Sequence, residues 1–243
     1  MPSVYTHYRF GIAVFNRLPG SIQKAIGENM PFYLLGQHGS DIFSNEKLSS
    51  TLIYSSRFAN DYEMMTSSFS SSPSKQSACA YRMGLICHSV LENHFRHFLL
   101  EYEKVYNLSL PKIEQEYDKK CMKAQGISPL DNSFLDYLKP SMKNTCVIHH
   151  FYPEIPAADI TSSLEFMNEY PYLRRPKGVL SRYIEMLLLK CKGPGRIIYH
   201  LSGRTSPNPE CEISNRKLDQ LFQEAVWIAA NEIRKRMLGC LAS

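Results

Sequence analysis

Among the polar residues of this sequence, His88 and Glu92 are the pair best arranged to bind a metal. They are four residues apart in the segment Gly84–Glu92, so both side chains project from one face of a helix. Metal sites in helical bundles use such short helical spacings. Because the residues from Met83 to Cys87 are apolar, we expect His88 to be buried. A buried histidine that only forms a hydrogen bond is the simpler alternative.

The other histidines and carboxylates form weaker patterns. Glu114 and Asp118 are also four residues apart, but two lysines follow them, which predicts a solvated helix face. His94 and His97 lie around the helix from His88, and we predict that they are surface residues. The adjacent pair at 149–150 precedes an aromatic and proline segment and is predicted to lie in a loop.

Known nucleophile and nucleotide motifs are absent from the sequence. It contains no G-x-S-x-G, no Walker loop and no G-x-G-x-x-G. The chemistry that remains is that of histidines and carboxylates.

Helical periodicity dominates the elements that must position these residues. We predict helices over about 6–18, 21–28, 76–106, 109–126, 156–169, 176–192 and 215–238, and a loosely spaced one within 52–69. Thr6 is the expected N-cap of the first helix, and Gly126 is expected to stop the helix that Ser109 begins. Residues 31–39 are predicted to be a connection, and residues 196–200 a lone short strand.

Composition predicts a single all-α domain over residues 1–243. The chain is 44% hydrophobic and 21% charged, and it has no run of eighteen apolar residues that could form a membrane span. Seven scattered cysteines without a Cys-x-x-Cys pair, together with an N-terminus unlike a signal peptide, are typical of a cytoplasmic protein with reduced thiols.

The net charge of +5 comes with only short basic clusters, at Arg174–Lys177 and Arg234–Arg236. Nucleic-acid-binding proteins usually carry a denser basic stripe interleaved with aromatic residues, so no nucleic-acid binding is expected. A solvated helix face is the ordinary meaning of such clusters. Docking of the basic C-terminal helix on a lipid surface is the alternative.

Several blocks of the sequence resemble a known family. The segments 6–11 (Thr-His-Tyr-Arg-Phe-Gly), 36–43 (Gly-Gln-His-Gly-Ser-Asp-Ile-Phe), 80–92, 208–210 and 218–225 are similar in order and spacing to the small bacterial zinc-dependent phospholipase C family. The blocks extend over nearly the whole chain. The resemblance implies an all-helical fold, shared with single-strand-specific zinc nucleases, and cleavage of phosphodiesters by a cluster of three zinc ions.

Carried over residue by residue, the resemblance implies a metal site. His7, Asp41 and His88 fall on ligand positions, and Glu92 stands where the family has an aspartate that bridges two metals. Two imidazoles and two carboxylates suffice for one zinc ion, or for two that share Glu92. By analogy, Asp41 is expected to take the proton of the attacking water.

The family pattern is incomplete at one of its three zinc ions. The two histidines and the glutamate that hold it correspond here to Arg96, Leu110 and Glu114. Arginine has no lone pair to offer a metal, so we predict an Arg96–Glu114 ion pair in place of this zinc. Exposure of Arg96 to solvent is the alternative. A further family histidine is also absent, with Asn60 or Asp61 nearest to its position.

Two functional hypotheses follow from these residues. The first is a zinc-dependent hydrolase that cleaves a phospholipid or a small phosphate ester. The second is a non-catalytic descendant of the same fold that acts as a binding or interaction module.

Overall fold

The computed structural model describes residues 4–43, 74–128, 133–173 and 208–241, and within these ranges the regular secondary structure consists of helices only. The α-helices are α1 (Val4–Phe15), α2 (Gly20–Gly27), α3 (Met30–Gly36), α4 (Lys75–Tyr106), α5 (Leu110–Ala124), α6 (Met142–Phe151), α7 (Ala157–Leu173) and α8 (Glu212–Leu241). Short 3₁₀ helices cover Gly39–Phe43, Ser133–Leu138 and Pro209–Cys211. The predicted all-α class is confirmed for these residues.

Local sequence determines where the long central helix begins and ends. The hydroxyl oxygen of Ser74 accepts a hydrogen bond from the amide of Ser77 at 3.2 Å, which caps the first turn of α4. Asn107, with φ of 52°, ends the same helix in the left-handed conformation that asparagine tolerates better than most residues. Gly126, with φ of 69°, follows α5 as the sequence predicted.

Helices α3 and α4 cross at a contact between two glycines. A Cβ atom on Gly84 would lie 2.7 Å from the Cα atom of Gly36 and would also collide with the carbonyl oxygen of Tyr33. Likewise, a Cβ atom on Gly36 would lie 3.0 Å from the Cα atom of Gly84. The two backbones can therefore approach only where neither residue has a side chain.

The apolar core joins α1, α4 and α8. Phe10 of α1 and Phe222 of α8 are fully buried, and their rings meet edge to face with centroids 5.4 Å apart. Leu85 and Phe95 of α4 are buried in the same core. This packing holds α1 against α4, the two α-helices that carry the residues singled out above.

Three local predictions were wrong. The first helix begins at Val4, so Thr6 lies within the helix and is not its N-cap. Residues 31–39 are not a connection, because Pro31 occupies the first turn of α3, where a missing amide hydrogen costs nothing. The histidine pair at 149–150 lies in α6 and not in a loop, since Ser141 caps that helix and starts it upstream.

The predicted solvated face of α5 was also wrong. Glu114 and Asp118 are both only 7% exposed and face the interior. Among the predicted surface histidines, His97 is exposed, whereas His94 is half-buried and lies 3.0 Å from Glu224 of α8.

The basic cluster of α8 makes contacts within the molecule. Arg234 donates a hydrogen bond to the carbonyl oxygen of Arg17 at 2.5 Å. Lys235 and Arg236 lie 3.2 and 3.9 Å from Glu232. Lys235 and Arg236 thus pair with a carboxylate of their own helix, and Arg234 bonds to the backbone that follows α1.

None of the described helices combines the length and the apolar character needed to cross a membrane. The helices predicted within 52–69 and over 176–192, the strand at 196–200, the Arg174–Lys177 cluster, Asn60 and Asp61 lie outside the described residues.

Candidate metal centre

Four side chains from three elements converge in the interior. His7 comes from α1, Asp41 from the 3₁₀ helix Gly39–Phe43, and His88 and Glu92 from adjacent turns of α4. Each offers one ligand atom, and these four atoms all lie within 4.8 Å of one another. All four residues are buried. The structure thus gathers the residues singled out from the sequence into one cluster that could bind a metal.

The separations within this cluster suit a shared ion. The Nε2 atom of His7 lies 3.6 Å from Oδ2 of Asp41 and 3.6 Å from Oε1 of Glu92. Two ligands at about 2.1 Å from one tetrahedral zinc are themselves about 3.4 Å apart. A hydrogen bond would instead bring nitrogen and oxygen to about 2.7–3.2 Å. The rings of His7 and His88 have centroids 5.1 Å apart, so both imidazoles belong to the same cluster.

Several polar atoms of the cluster lack hydrogen bonds. Both ring nitrogens of His7, Oδ2 of Asp41 and Oε1 of Glu92 are buried and have no hydrogen-bond partner among the described residues. A buried polar atom without a partner costs about 1–3 kcal/mol, and more when it is charged. A cation between Nε2 of His7 and the two carboxylate oxygens would satisfy three of these atoms together. The donor set therefore fits a divalent metal.

His88 is held in the orientation that a metal ligand needs. Its Nδ1 lies 3.2 Å from the carbonyl oxygen of Gln37. Because a carbonyl oxygen only accepts, Nδ1 must carry a hydrogen, and Nε2 is then the ring nitrogen that can bind a metal. Metal-binding histidines commonly donate their other ring N–H to a carbonyl or a carboxylate in this way.

The electrostatics of the cluster already favour a cation at its centre. Burial alone would lower the pKa of His7, but the carboxylates of Asp41 and Glu92 raise it to about 9. Burial acts to raise the pKa of Asp41, yet His7 and His88 hold it below its ordinary value. In the metal-free protein a protonated His7 therefore neutralises part of the carboxylate charge, and a bound metal would replace that proton.

A glycine allows the 3₁₀ helix to approach His88 closely. Gly39 has φ of 45°, and a Cβ atom there would lie 2.6 Å from Nε2 of His88. This position requires glycine for two reasons: the left-handed conformation favours glycine, and the close approach excludes a side chain. The close approach brings Asp41, two residues later, beside the histidines.

His38 is a neighbour of the cluster that the sequence analysis missed. Its ring centroid lies 5.5 Å from that of His7, and its Nε2 is 2.8 Å from the hydroxyl of Tyr137. Burial and the neighbouring histidines lower the pKa of His38 well below its ordinary value, so it is neutral. The sequence feature that could have indicated His38 is its position three residues before Asp41. It was overlooked because residues 31–39 were predicted to be a plain connection.

The three residues at the incomplete third-zinc position have different environments. Arg96 is exposed, which favours the alternative that it faces solvent. Leu110 is half-buried at the start of α5, and Glu114 is buried. Burial, together with the charges of Glu92 and Asp41, raises the pKa of Glu114 to about 8.

Comparison with known proteins finds no relative: no family model, no curated protein and no solved structure matches this chain. The fold and the site therefore define the class by themselves. Over the residues that the structure describes, it is a helical protein with a buried cluster of two imidazoles and two carboxylates that could bind a metal.

Proposed function

We propose that this protein is a zinc-dependent phosphodiester hydrolase of the phospholipase C type, acting on a phospholipid or a small phosphate ester. The observation that carries the proposal is the convergence of His7, Asp41, His88 and Glu92 within 4.8 Å. The order of the sequence blocks that contain these residues, which resembles that family, supports the same conclusion.

The donor set selects the metal. Imidazole nitrogens with carboxylate oxygens suit zinc, and no cysteine is a member of the cluster. Two carboxylates also match the charge of one divalent ion. One zinc ion, or two that share Glu92, is the expected content, and a third is not expected because Arg96 and Leu110 offer no ligand atom.

The proposed reaction divides the work between the metal and the chain. A bound zinc ion supplies Lewis acidity, which acidifies a water molecule and polarises a phosphoryl oxygen. His7, His88 and Glu92 would hold the ion, as a set of two histidines and one carboxylate that can leave a position for water. Asp41, whose Oδ2 lies 3.6 Å from Nε2 of His7, would accept the proton of that water.

A second candidate function is a metal-binding module without catalysis. The observation that favours it is burial: His7 and His88 are 0% exposed, and Asp41 and Glu92 only 6% and 7%. If all four residues bind one ion, the tetrahedral site is closed, as structural zinc sites are. The role of Asp41, proton acceptor or fourth ligand, therefore separates the two functions.

Metal content is the first test. Elemental analysis of the purified wild-type protein should give about one to two zinc ions per chain. Glu92→Gln keeps the shape of the side chain but weakens the ligand, so its zinc content should fall. Glu101→Gln is the matched control, because Glu101 lies on the same helix but is exposed and 3.5 Å from His97. Absence of zinc from the wild type, even after incubation with zinc, would refute the proposal.

Hydrolysis is the second test. Bis(p-nitrophenyl) phosphate and phosphatidylcholine vesicles should both be assayed, with chelator added and with zinc restored. Asp41→Asn should keep zinc and lose the chelator-sensitive activity if Asp41 accepts the proton. Zinc binding in the wild type with no activity on either substrate would reject the hydrolase and leave the metal-binding module.

A further inference from the structure

His7 lacks the hydrogen bond that orients the other histidine of the metal centre. His88 is fixed by the carbonyl oxygen of Gln37, whereas neither ring nitrogen of His7 has a hydrogen-bond partner among the described residues. Its ring contacts the rings of His38 and His88, and its Nε2 lies 3.6 Å from the carboxylates of Asp41 and Glu92. Apart from these neighbours in the cluster, the position of the His7 ligand atom depends on where the backbone of α1 is held.

The start of α1 is held by a side chain from another helix. The first amides of a helix have no acceptor within it. Here Asp118 of α5 supplies that acceptor, with Oδ2 at 3.2 Å from the amide nitrogen of Tyr5 and Oδ1 at 2.8 Å from that of Thr6. The hydroxyl of Thr6 also donates to Oδ1 at 2.5 Å. Asp118 is only 7% exposed, so water competes little for these bonds.

We infer that Asp118 is a positioning residue for His7, acting through the first turn of α1. This inference rests on the proposed metal centre. Three hydrogen bonds to one buried carboxylate fix the rotation of α1 about its axis at the residue immediately before His7. A side-chain atom about 5–6 Å from a helix axis moves by about 1 Å when the helix turns by roughly 10°. Metal–ligand distances tolerate only about 0.2 Å.

The test is the zinc affinity of Asp118→Asn, measured by competition with a chromophoric chelator. The amide nitrogen of asparagine cannot accept the hydrogen bond from Tyr5, so α1 loses part of its anchor. Partners of this kind, which support a metal ligand without touching the metal, change metal affinity by about 10–100-fold when they are replaced. We expect a rise in the zinc Kd in that range.

The control is a variant that loses a hydrogen bond of the same helix away from α1. Glu116 lies two residues before Asp118, is as deeply buried, and accepts a hydrogen bond from the amide of Asn208 at 2.6 Å. Glu116→Gln should lower thermal stability but leave the zinc Kd within about twofold of the wild type. If Asp118→Asn binds zinc as the wild type does, or if Glu116→Gln weakens binding equally, the positioning role is wrong.

A second pair of variants decides the matter if Asp118→Asn does not fold, as judged by circular dichroism. Thr6→Val removes the hydroxyl that donates to Asp118, while Thr6→Ser keeps it. We expect weaker zinc binding in Thr6→Val and near wild-type binding in Thr6→Ser. Equal affinities in this pair would overturn the inference. If the wild type itself bound no zinc, the proposed function and the positioning role would fail together, whereas wild-type binding with unchanged variants would reject the positioning role alone.

Discussion

Zinc binding should release a proton, because the metal and a proton compete for His7. The pKa of His7 in the metal-free protein is about 9. At pH 7 the imidazole is therefore protonated in nearly every molecule, and zinc must displace that proton to reach Nε2. The apparent zinc affinity should rise about tenfold per pH unit between about pH 7 and 8, because the pH in this range is well below the pKa of His7.

The same raised pKa makes a contribution to stability in the metal-free protein. A shift from 6.5 to about 9 corresponds to about 3 kcal/mol. Because the folded-state pKa exceeds the unfolded one, this stability is fully present below about pH 6.5 and is lost as the pH rises through about 9. Chemical denaturation of the metal-free protein should therefore show a decline in the free energy of unfolding over that window.

Calorimetry measures the proton release directly. Titration of zinc into the metal-free protein at about pH 7.5, in buffers with different ionisation enthalpies, should give close to one proton released per zinc ion at this site. His7→Gln should abolish the release along with tight binding. His97→Gln, which changes an exposed histidine, should leave both unchanged. If the wild type bound zinc tightly but released almost no protons, His7 would not be a ligand that is protonated in the metal-free protein.

Two glycine substitutions test the close approaches that build the site. Gly39→Ala introduces a Cβ atom 2.6 Å from Nε2 of His88 at a φ of 45°. The left-handed backbone should then lower the free energy of unfolding by about 1–2 kcal/mol, and the displaced His88 should bind zinc more weakly. A loss of stability with unchanged zinc affinity would contradict the close approach. Gly84→Ala places a Cβ atom 2.7 Å from Gly36 and should lower the free energy of unfolding by about 2 kcal/mol or more through overpacking. Gly27→Ala is the control for both, since nothing lies within 4 Å of its added Cβ atom, and equal destabilisation there would refute the argument.

The helices could be predicted where their signals are local. The predicted range 76–106 matches α4, Lys75–Tyr106, to within one residue, because the apolar periodicity is long and Ser74 supplies a cap. Gly126 was predicted to stop α5 for the equally local reason that glycine tolerates positive φ. Such features need no knowledge of the neighbouring elements.

The errors occurred where a distant residue replaces a local signal. The start of α1 was misplaced because Asp118, more than a hundred residues away, accepts the hydrogen bonds that an N-cap would accept. The same residue and Glu114 were taken for a solvated face because an i, i+4 carboxylate pair has no sequence feature that distinguishes an inward from an outward orientation. Tertiary contacts decided both cases.

The site itself shows the same division. Spacing alone places His88 and Glu92 on one face of α4. The resemblance to a known family was needed to associate His7 and Asp41 with them, since those residues are far apart along the chain. His38 was missed both ways, because residues 31–39 were predicted to be a plain connection and its contact with Tyr137 forms only in the folded chain.

The most direct measurement of the central claim is an anomalous difference map at the zinc absorption edge from crystals of the zinc-loaded protein. We predict a peak about 2.0–2.2 Å from Nε2 of His7 and Nε2 of His88, with a carboxylate oxygen of Glu92 at a similar distance. A zinc peak held elsewhere, with these side chains hydrogen-bonded only to one another or to water, would contradict the account.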